Sequence, residues 1–269
     1  MYDYHSHTDF SDDSAATMDE MIEGAIQKGI LELAITDHYD PDYPDPNYPF
    51  EVDFDEYHKA LLHAEQHYAP RIRIVKGLEI GIQNGDTLKK CKAAAKNFSY
   101  DFLIGSFHSF NGTDLYTANY SEMDQDRILP SFYTYVHDCL KEFDDFDVLG
   151  HMNVIDRYLN LERDYSESLM IIEEILKELI SKGKGLEINT SSYRYGLKDR
   201  NHPTKEILQL YRDLGGEILT IGSDAHRPSD LLFRFEEGVA FAENHGFKYF
   251  STFQNRKVTM LPLSKFIVK

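Results

Sequence analysis

Histidines and acids recur in this chain in short, similar groups. The opening stretch MYDYHSHTDFSDDS (residues 1–14) holds His5 and His7, followed by Asp9, Asp12 and Asp13. His38 ends TDH (36–38), Glu79 ends GLE (77–79), His108 ends GSFH (105–108), His151 ends GH (150–151), and SDAH (223–226) carries Asp224 and His226. Imidazole and carboxylate donors without thiolate suit Zn, Mn or Fe(II) rather than a structural, sulfur-ligated zinc. Six histidines with Asp12, Glu79 and Asp224 exceed the needs of one tetrahedral ion and match two or three ions that share carboxylates. Clustered divalent ions lower the pKa of a bound water and clamp phosphoryl oxygens, which is the chemistry of phosphate-ester hydrolysis.

Taken singly, a histidine at a strand end is more often a structural hydrogen-bonder than a ligand. The HSH pair is stronger, because residues i and i+2 of a strand point the same way. The case rests on the whole set occurring at equivalent places. The rival pair His63 and His67 has i, i+4 helical spacing but lacks the HExxH order, since its acid is Glu65, and reads as a solvated helix face. His58, His137 and His245 also fall in helical stretches, and His202 falls in a loop.

Those equivalent places are set by the elements around them. Short apolar runs read as buried strands at 2–5, 31–36, 72–79, 101–106, 146–150, 185–190 and 217–223. Between and after them, segments 17–29, 53–68, 86–97, 128–142, 166–182, 204–215 and 229–245 show helical spacing. Leu169, Ile172, Ile175, Leu176 and Leu179 make one such apolar stripe. Strict β-then-α alternation predicts a parallel sheet with helices outside. Seven units without a composition break favour a closed α/β barrel of one domain, with an open doubly wound sheet as the alternative. In a barrel, the C-terminal strand ends are where active sites assemble, and the ligand-type groups all follow those ends. Segments 37–52 and 107–127 are long enough to be loops over the site, and 246–269 reads as one or two extra strands.

Composition narrows the function classes. Lys and Arg number 28 against 46 Asp and Glu, a formal charge of −18, which repels phosphate backbones and argues against nucleic-acid binding. A small anionic substrate stays compatible if metals and local arginines reverse the sign in one pocket. No run of 18 apolar residues predicts a membrane span, and no secretory signal is visible. Two cysteines, Cys91 and Cys139, make no disulfide framework, and a reducing cytoplasm is the expectation. No glycine-rich nucleotide fingerprint occurs; NGDT (84–87) and GKG (183–185) are too short for phosphate loops. The cations a phosphate ester needs are Arg157, in HMNVIDRY after the fifth strand, and Arg194, in SSYRYG after the sixth. Asp37 and Asn189 are placed to orient ligands by hydrogen bonds.

The ordered series HSH, a nearby acid, TDH, a lone glutamate after strand 3, SxH, GH and SDAH resembles the PHP (polymerase and histidinol phosphatase) superfamily over essentially the whole chain. Length and the two arginines look most like its stand-alone histidinol-phosphatase branch. The resemblance implies a distorted (β/α)7 TIM-like barrel and hydrolysis of L-histidinol phosphate by a hydroxide between metal ions. Carried over residue by residue, it implies one ion on His5, His7, Glu79 and Asp224, and a second on Glu79, His108 and His151. A third would sit on Asp12, His38 and His226, with Asp12 chosen over Asp9 and Asp13 as the first acid after serine in FSDDS. Arg157 and Arg194 would neutralise the phosphoryl oxygens, and Tyr39, Tyr158, Tyr193 and acids of the 40–55 loop would grip histidinol. A nuclease, a phosphotyrosine phosphatase and a non-catalytic metal-binding protein are the alternatives.

Overall fold

A computed structural model describes residues 1–159, 165–195 and 202–266. Seven parallel strands appear where apolar runs predict them: β1 (Tyr2–Asp3), β2 (Glu32–Ile35), β3 (Arg73–Gly81), β4 (Phe102–Ser106), β5 (Val148–Leu149), β6 (Gly185–Asn189) and β7 (Leu219–Gly222). They pair in chain order. The alternation of elements leaves open whether such a sheet closes. Here it nearly does: the Tyr4 amide donates to the Ile221 carbonyl at 3.2 Å, and Ser6 bridges to Ala225 in parallel. The result is a seven-stranded parallel barrel with helices outside.

Seven helices follow the strands: α1 (Met18–Gln27), α2 (Phe54–Tyr68), α3 (Thr87–Ala94), α4 (Gln125–Glu142), α5 (Leu169–Ser181), α6 (Lys205–Asp213) and α7 (Phe235–Asn244). Each turns one apolar stripe to the barrel. α1 buries Met18, Met21, Ile22 and Ala25, and Thr17 with Glu20 closes a capping box at its start. Such a cap contributes about 1 kcal/mol by satisfying amides the helix leaves free. α5 buries Ile172, Ile175, Leu176 and Leu179, while Leu169, in the first turn, stays exposed. α4 starts three residues before the apolar pattern does, because Asp124 caps it by accepting from the Asp126 amide at 3.2 Å.

Three small additions frame the barrel. His38–Tyr39 pairs alongside β3, with His38 opposite Glu79. Ser109–Phe110 and Thr113–Asp114 form a hairpin within the second long loop. The C-terminal segment, expected to hold one or two extra strands, is an antiparallel hairpin, Tyr249–Gln254 with Lys257–Pro262. It closes the N-terminal end of the barrel, where Phe250 meets Tyr4 and Phe253 meets Phe102 at ring separations of 5.4 and 4.9 Å.

Candidate functional site

Every histidine predicted at a strand end arrives at the same end of the barrel, together with Glu79 and Asp224. Glu79 is fully buried at the centre. Its Oε2 lies 2.9 Å from His38 Nδ1, 3.3 Å from His5 Nε2 and 3.6 Å from His7 Nε2. Its Oε1 lies 3.0 Å from His151 Nε2 and 3.5 Å from His108 Nε2, and accepts from Ser106 Oγ at 2.6 Å. One carboxylate thus faces two groups of imidazoles, the arrangement a bridging ligand needs. Asp224 Oδ1 lies 3.3 Å from His7 Nε2 and 3.8 Å from His5 Nε2. The rings of His38 and His226 both pack against His7, at 4.1 and 4.3 Å, and lie 5.8 Å from each other.

The donor atoms fall into overlapping groups, each compact enough for one ion: His5–His7–Asp224, His5–Glu79–His151, His7–His38–His226 and His38–Asp40–His108. Buried polar atoms here lack hydrogen-bond partners: Nε2 of His5, His7 and His226, Nδ1 of His38, Oε2 of Glu79 and Oδ2 of Asp40. Leaving such atoms unsatisfied costs about 1–3 kcal/mol each. Imidazole and carboxylate atoms that converge unpaired on one point fit divalent cations.

The acid expected in the third group, Asp12, does not face its histidines. Asp13, not Asp12, faces the histidines, with Oδ2 3.0 Å from His226 Nε2 and 3.8 Å from His38 Nε2. Asp12 turns the other way and accepts from the Phe50 amide at 2.7 Å. The turn decides this: Ser11 Oγ donates to Asp37 at 2.8 Å and Ser14 Oγ to the His226 carbonyl at 2.9 Å, so the residue between them that points inward is the second acid.

Charges are strongly coupled. Burial disfavours ionising Glu79, yet His5, His108 and His38 hold its carboxyl well below the usual range. Burial also opposes charge on Asp224, and His5, His7, Arg157 and His226 outweigh it. Against burial, Glu79 and Asp13 raise His38 to about 9, and Asp40 and Glu79 raise His108 well above its ordinary value. Burial with His38 and His226 beside it pushes His7 far down. Glu79 and Asp224 stay ionised and His7 stays neutral, as metal ligands must be. Glu187, Glu79 and Asp224 raise His5 against burial, and His5, His38 and His108 hold protons that a bound ion would displace.

Beside this centre opens a cavity of about 320 Å³. Both long loops wall it, the first with Tyr43, Asp45, Tyr48 and Phe50, the second with Asp114 and Tyr116. Tyr43 joins the two by donating to Asp114 at 2.6 Å. Arg157 reaches the cavity, held by donating from Nη2 to Ser191 Oγ at 2.8 Å and Asp224 Oδ2 at 3.2 Å. Its guanidinium covers the Tyr195 ring at 4.6 Å.

Three expected residues lie elsewhere. Arg194 does not line the cavity; its Nη2 donates to the carbonyls of Ser223 and Asp224 at 2.9 and 2.6 Å. Asp224 has φ +54°, a left-handed conformation that costs energy in a residue with a Cβ, and Arg194 braces that turn from behind. Tyr39 packs on Phe54, because one residue after His38 on a strand is the opposite face. Tyr193 sits under the Arg234 guanidinium, whereas Tyr158 does line the cavity.

The structure also adds residues. Asp40 Oδ1 lies 2.7 Å from His108 Nδ1, and Glu187 Oε1 lies 2.5 Å from His5 Nδ1. A carboxylate inside the apolar run GLEIN was the available signal for Glu187. Asp37 accepts from Thr8 and Ser11, and Ser11 Oγ lies 3.3 Å from His7 Nδ1, so Asp37 reaches His7 through Ser11. Asn189 Nδ2 approaches Glu187 Oε2 at 3.2 Å and Asp224 Oδ2 at 3.4 Å.

Known proteins resemble this chain over nearly its whole length. The PHP domain family model covers residues 3–191. The probable histidinol-phosphatase of Clostridium acetobutylicum is 31% identical, over 92% of this chain and 95% of its own length. The histidinol-phosphatase of Lactococcus lactis is 27% identical over 95% of each chain. The crystal structure of a histidinol phosphate phosphatase from Lactococcus lactis, complexed with zinc, L-histidinol and phosphate, superposes with a TM-score of 0.86 at 25% identity. It covers 96% of this chain and 98% of that one. By its strand order, its ordered histidines and acids and these matches, the chain belongs to the PHP domain family.

Proposed function

We propose that residues 1–269 act as one metal-dependent phosphoesterase that hydrolyses L-histidinol phosphate to L-histidinol and phosphate. The reading places it in the cytoplasm, on a small molecule rather than nucleic acid; among the described residues no helix is long and apolar enough to cross a membrane. The observation that carries it is Glu79, set between two groups of imidazoles beside a cavity that a buried arginine enters. Relatives called histidinol-phosphatases, alike over nearly the full chain, supply the substrate.

His5, His7, Glu79 and Asp224 would hold one divalent ion, and Glu79, His108 and His151 a second. His38 and His226, with Asp13, would hold a third. Such ions, Zn, Mn or Fe, activate water and neutralise phosphoryl charge. The chain's own groups do the rest. Arg157, kept rigid by Ser191, Asp224 and the Tyr195 ring, offers planar donors to a phosphoryl oxygen. Tyr43, Tyr48 and Tyr158 wall the imidazole end, and Asp45 complements a substrate amine.

The test measures bound metal and compares phosphate release from histidinol phosphate, phosphotyrosine and short single-stranded DNA. Preference for histidinol phosphate is the expected result. Preference for phosphotyrosine moves the assignment within the family, and no release from any substrate by metal-loaded protein overturns the enzyme reading.

A further inference from the structure

Glu187 belongs to none of the donor sets above, yet it is buried to 1% exposure inside the barrel. Oε1 lies 2.5 Å from His5 Nδ1, and Oε2 accepts the His151 amide at 2.9 Å and Asn189 Nδ2 at 3.2 Å. Glycines on the neighbouring strands leave room for it. A Cβ on Gly222 would come within 2.4 Å of His5 Cβ and 2.5 Å of Oε1, crowding the His5–Glu187 pair, and one on Gly150 would meet Ile104 and Ser106 at 2.6 Å and Oε2 at 3.5 Å.

His5 has two ring nitrogens. With Nδ1 on Glu187, Nε2 is the one turned to Glu79 and Asp224. A histidine that donates one N–H to a carboxylate has its other nitrogen fixed as a lone-pair donor, and its ring held. The second oxygen seats the His151 turn, and His151 reaches the opposite oxygen of Glu79. We propose that Glu187 is a positioning residue that sets the ring and tautomer of His5 and the place of His151, aligning one donor for each of two neighbouring ion sites. The inference rests on the metal-dependent reading above. An amide cannot replace the carboxylate, because both oxygens face donors and one side of a glutamine would present its own N–H groups to them.

The experiment uses the full chain as wild type, Glu187→Gln, Gly222→Ala and Glu32→Gln. Glu32 is a buried carboxylate at the far end of the barrel, bound to Tyr4 and Arg73. Zinc content is measured against a graded chelator, the cobalt-substituted protein is read by visible absorption, and kcat and KM are determined with histidinol phosphate. Glu187→Gln and Gly222→Ala are expected to lose roughly 10–100-fold in zinc affinity, to lower kcat more than they change KM, and to alter the cobalt spectrum. Glu32→Gln is expected to melt earlier with zinc affinity and cobalt spectrum unchanged. Glu187→Gln with wild-type zinc affinity and spectrum overturns the proposal, whether or not Gly222→Ala folds. Wild type that takes up no zinc or cobalt overturns instead the metal-dependent reading beneath it.

Discussion

The two ends of the barrel handle buried charge in opposite ways. At the N-terminal end three buried acids each have a fixed cation of the chain and further donors. Glu32 pairs with Arg73 at 2.7 Å and takes the Tyr4 hydroxyl. Asp101 pairs with Lys76 at 3.1 Å and accepts the Asn255 amide at 2.8 Å. Asp147 binds Arg256 and accepts the Leu103 amide at 2.8 Å. None of these side chains leaves a buried atom unpaired. At the C-terminal end Glu79, Asp40 and five of the histidines do, and imidazoles take the place of fixed cations. One end is complete within the chain; the other is arranged to be completed by something bound. A parallel barrel permits this division because its loops at one end can vary while the other end holds the strands together.

The contrast can be tested from both sides. Glu79→Gln removes the carboxylate shared by both groups, and several kcal/mol of lost charge stabilisation corresponds to roughly a thousandfold in turnover, with zinc content falling in parallel. Near-normal turnover in that variant would make the open end no more functional than the closed one. Lys76→Met leaves Asp101 buried without its cation and should cost about 3–5 kcal/mol in urea unfolding, with kcat per folded molecule unchanged. Loss of zinc there would break the separation of the two ends.

Within the open end, Arg157→Ala should lower kcat/KM by roughly 100-fold with zinc retained. Arg194→Ala should instead lower zinc content, since it releases the turn that carries Asp224. The smallest difference is between adjacent acids. Asp13→Asn should reduce metal affinity by about tenfold, at the low end for groups that orient or complete such sites, and Asp12→Asn should leave it within about twofold. The reverse order, read by chelator titration, would return the third group to Asp12.

The strand and helix positions were legible because each depends on local periodicity and on where apolar runs stop. His5, His7, His38, Glu79, His108, His151, Asp224 and His226 were legible because a parallel barrel gathers every strand's C-terminal end at one rim. What failed was direction within short turns. Asp12 and Asp13 differ by one position in the same DD pair, and only the bonds of Ser11 and Ser14 choose between them. Tyr39 and Tyr193 are as near in sequence to the site as Tyr158 and Tyr195, but the backbone sends them to other faces. Arg194 stands as close to its strand end as Arg157 does, and two carbonyls take its guanidinium.

Sequence alone thus determined the alternation of elements, the donor types and the end of the barrel where they meet. These follow from the period of the chain and from the parallel direction of its strands. Tertiary structure decided closure between β1 and β7, which of two adjacent acids faces the histidines and which arginine lines the cavity. It also placed Glu187 behind His5. Those depend on contacts between residues far apart in the chain, as Glu187 and His5 are, and no local pattern encodes which of two neighbouring side chains a distant partner will meet.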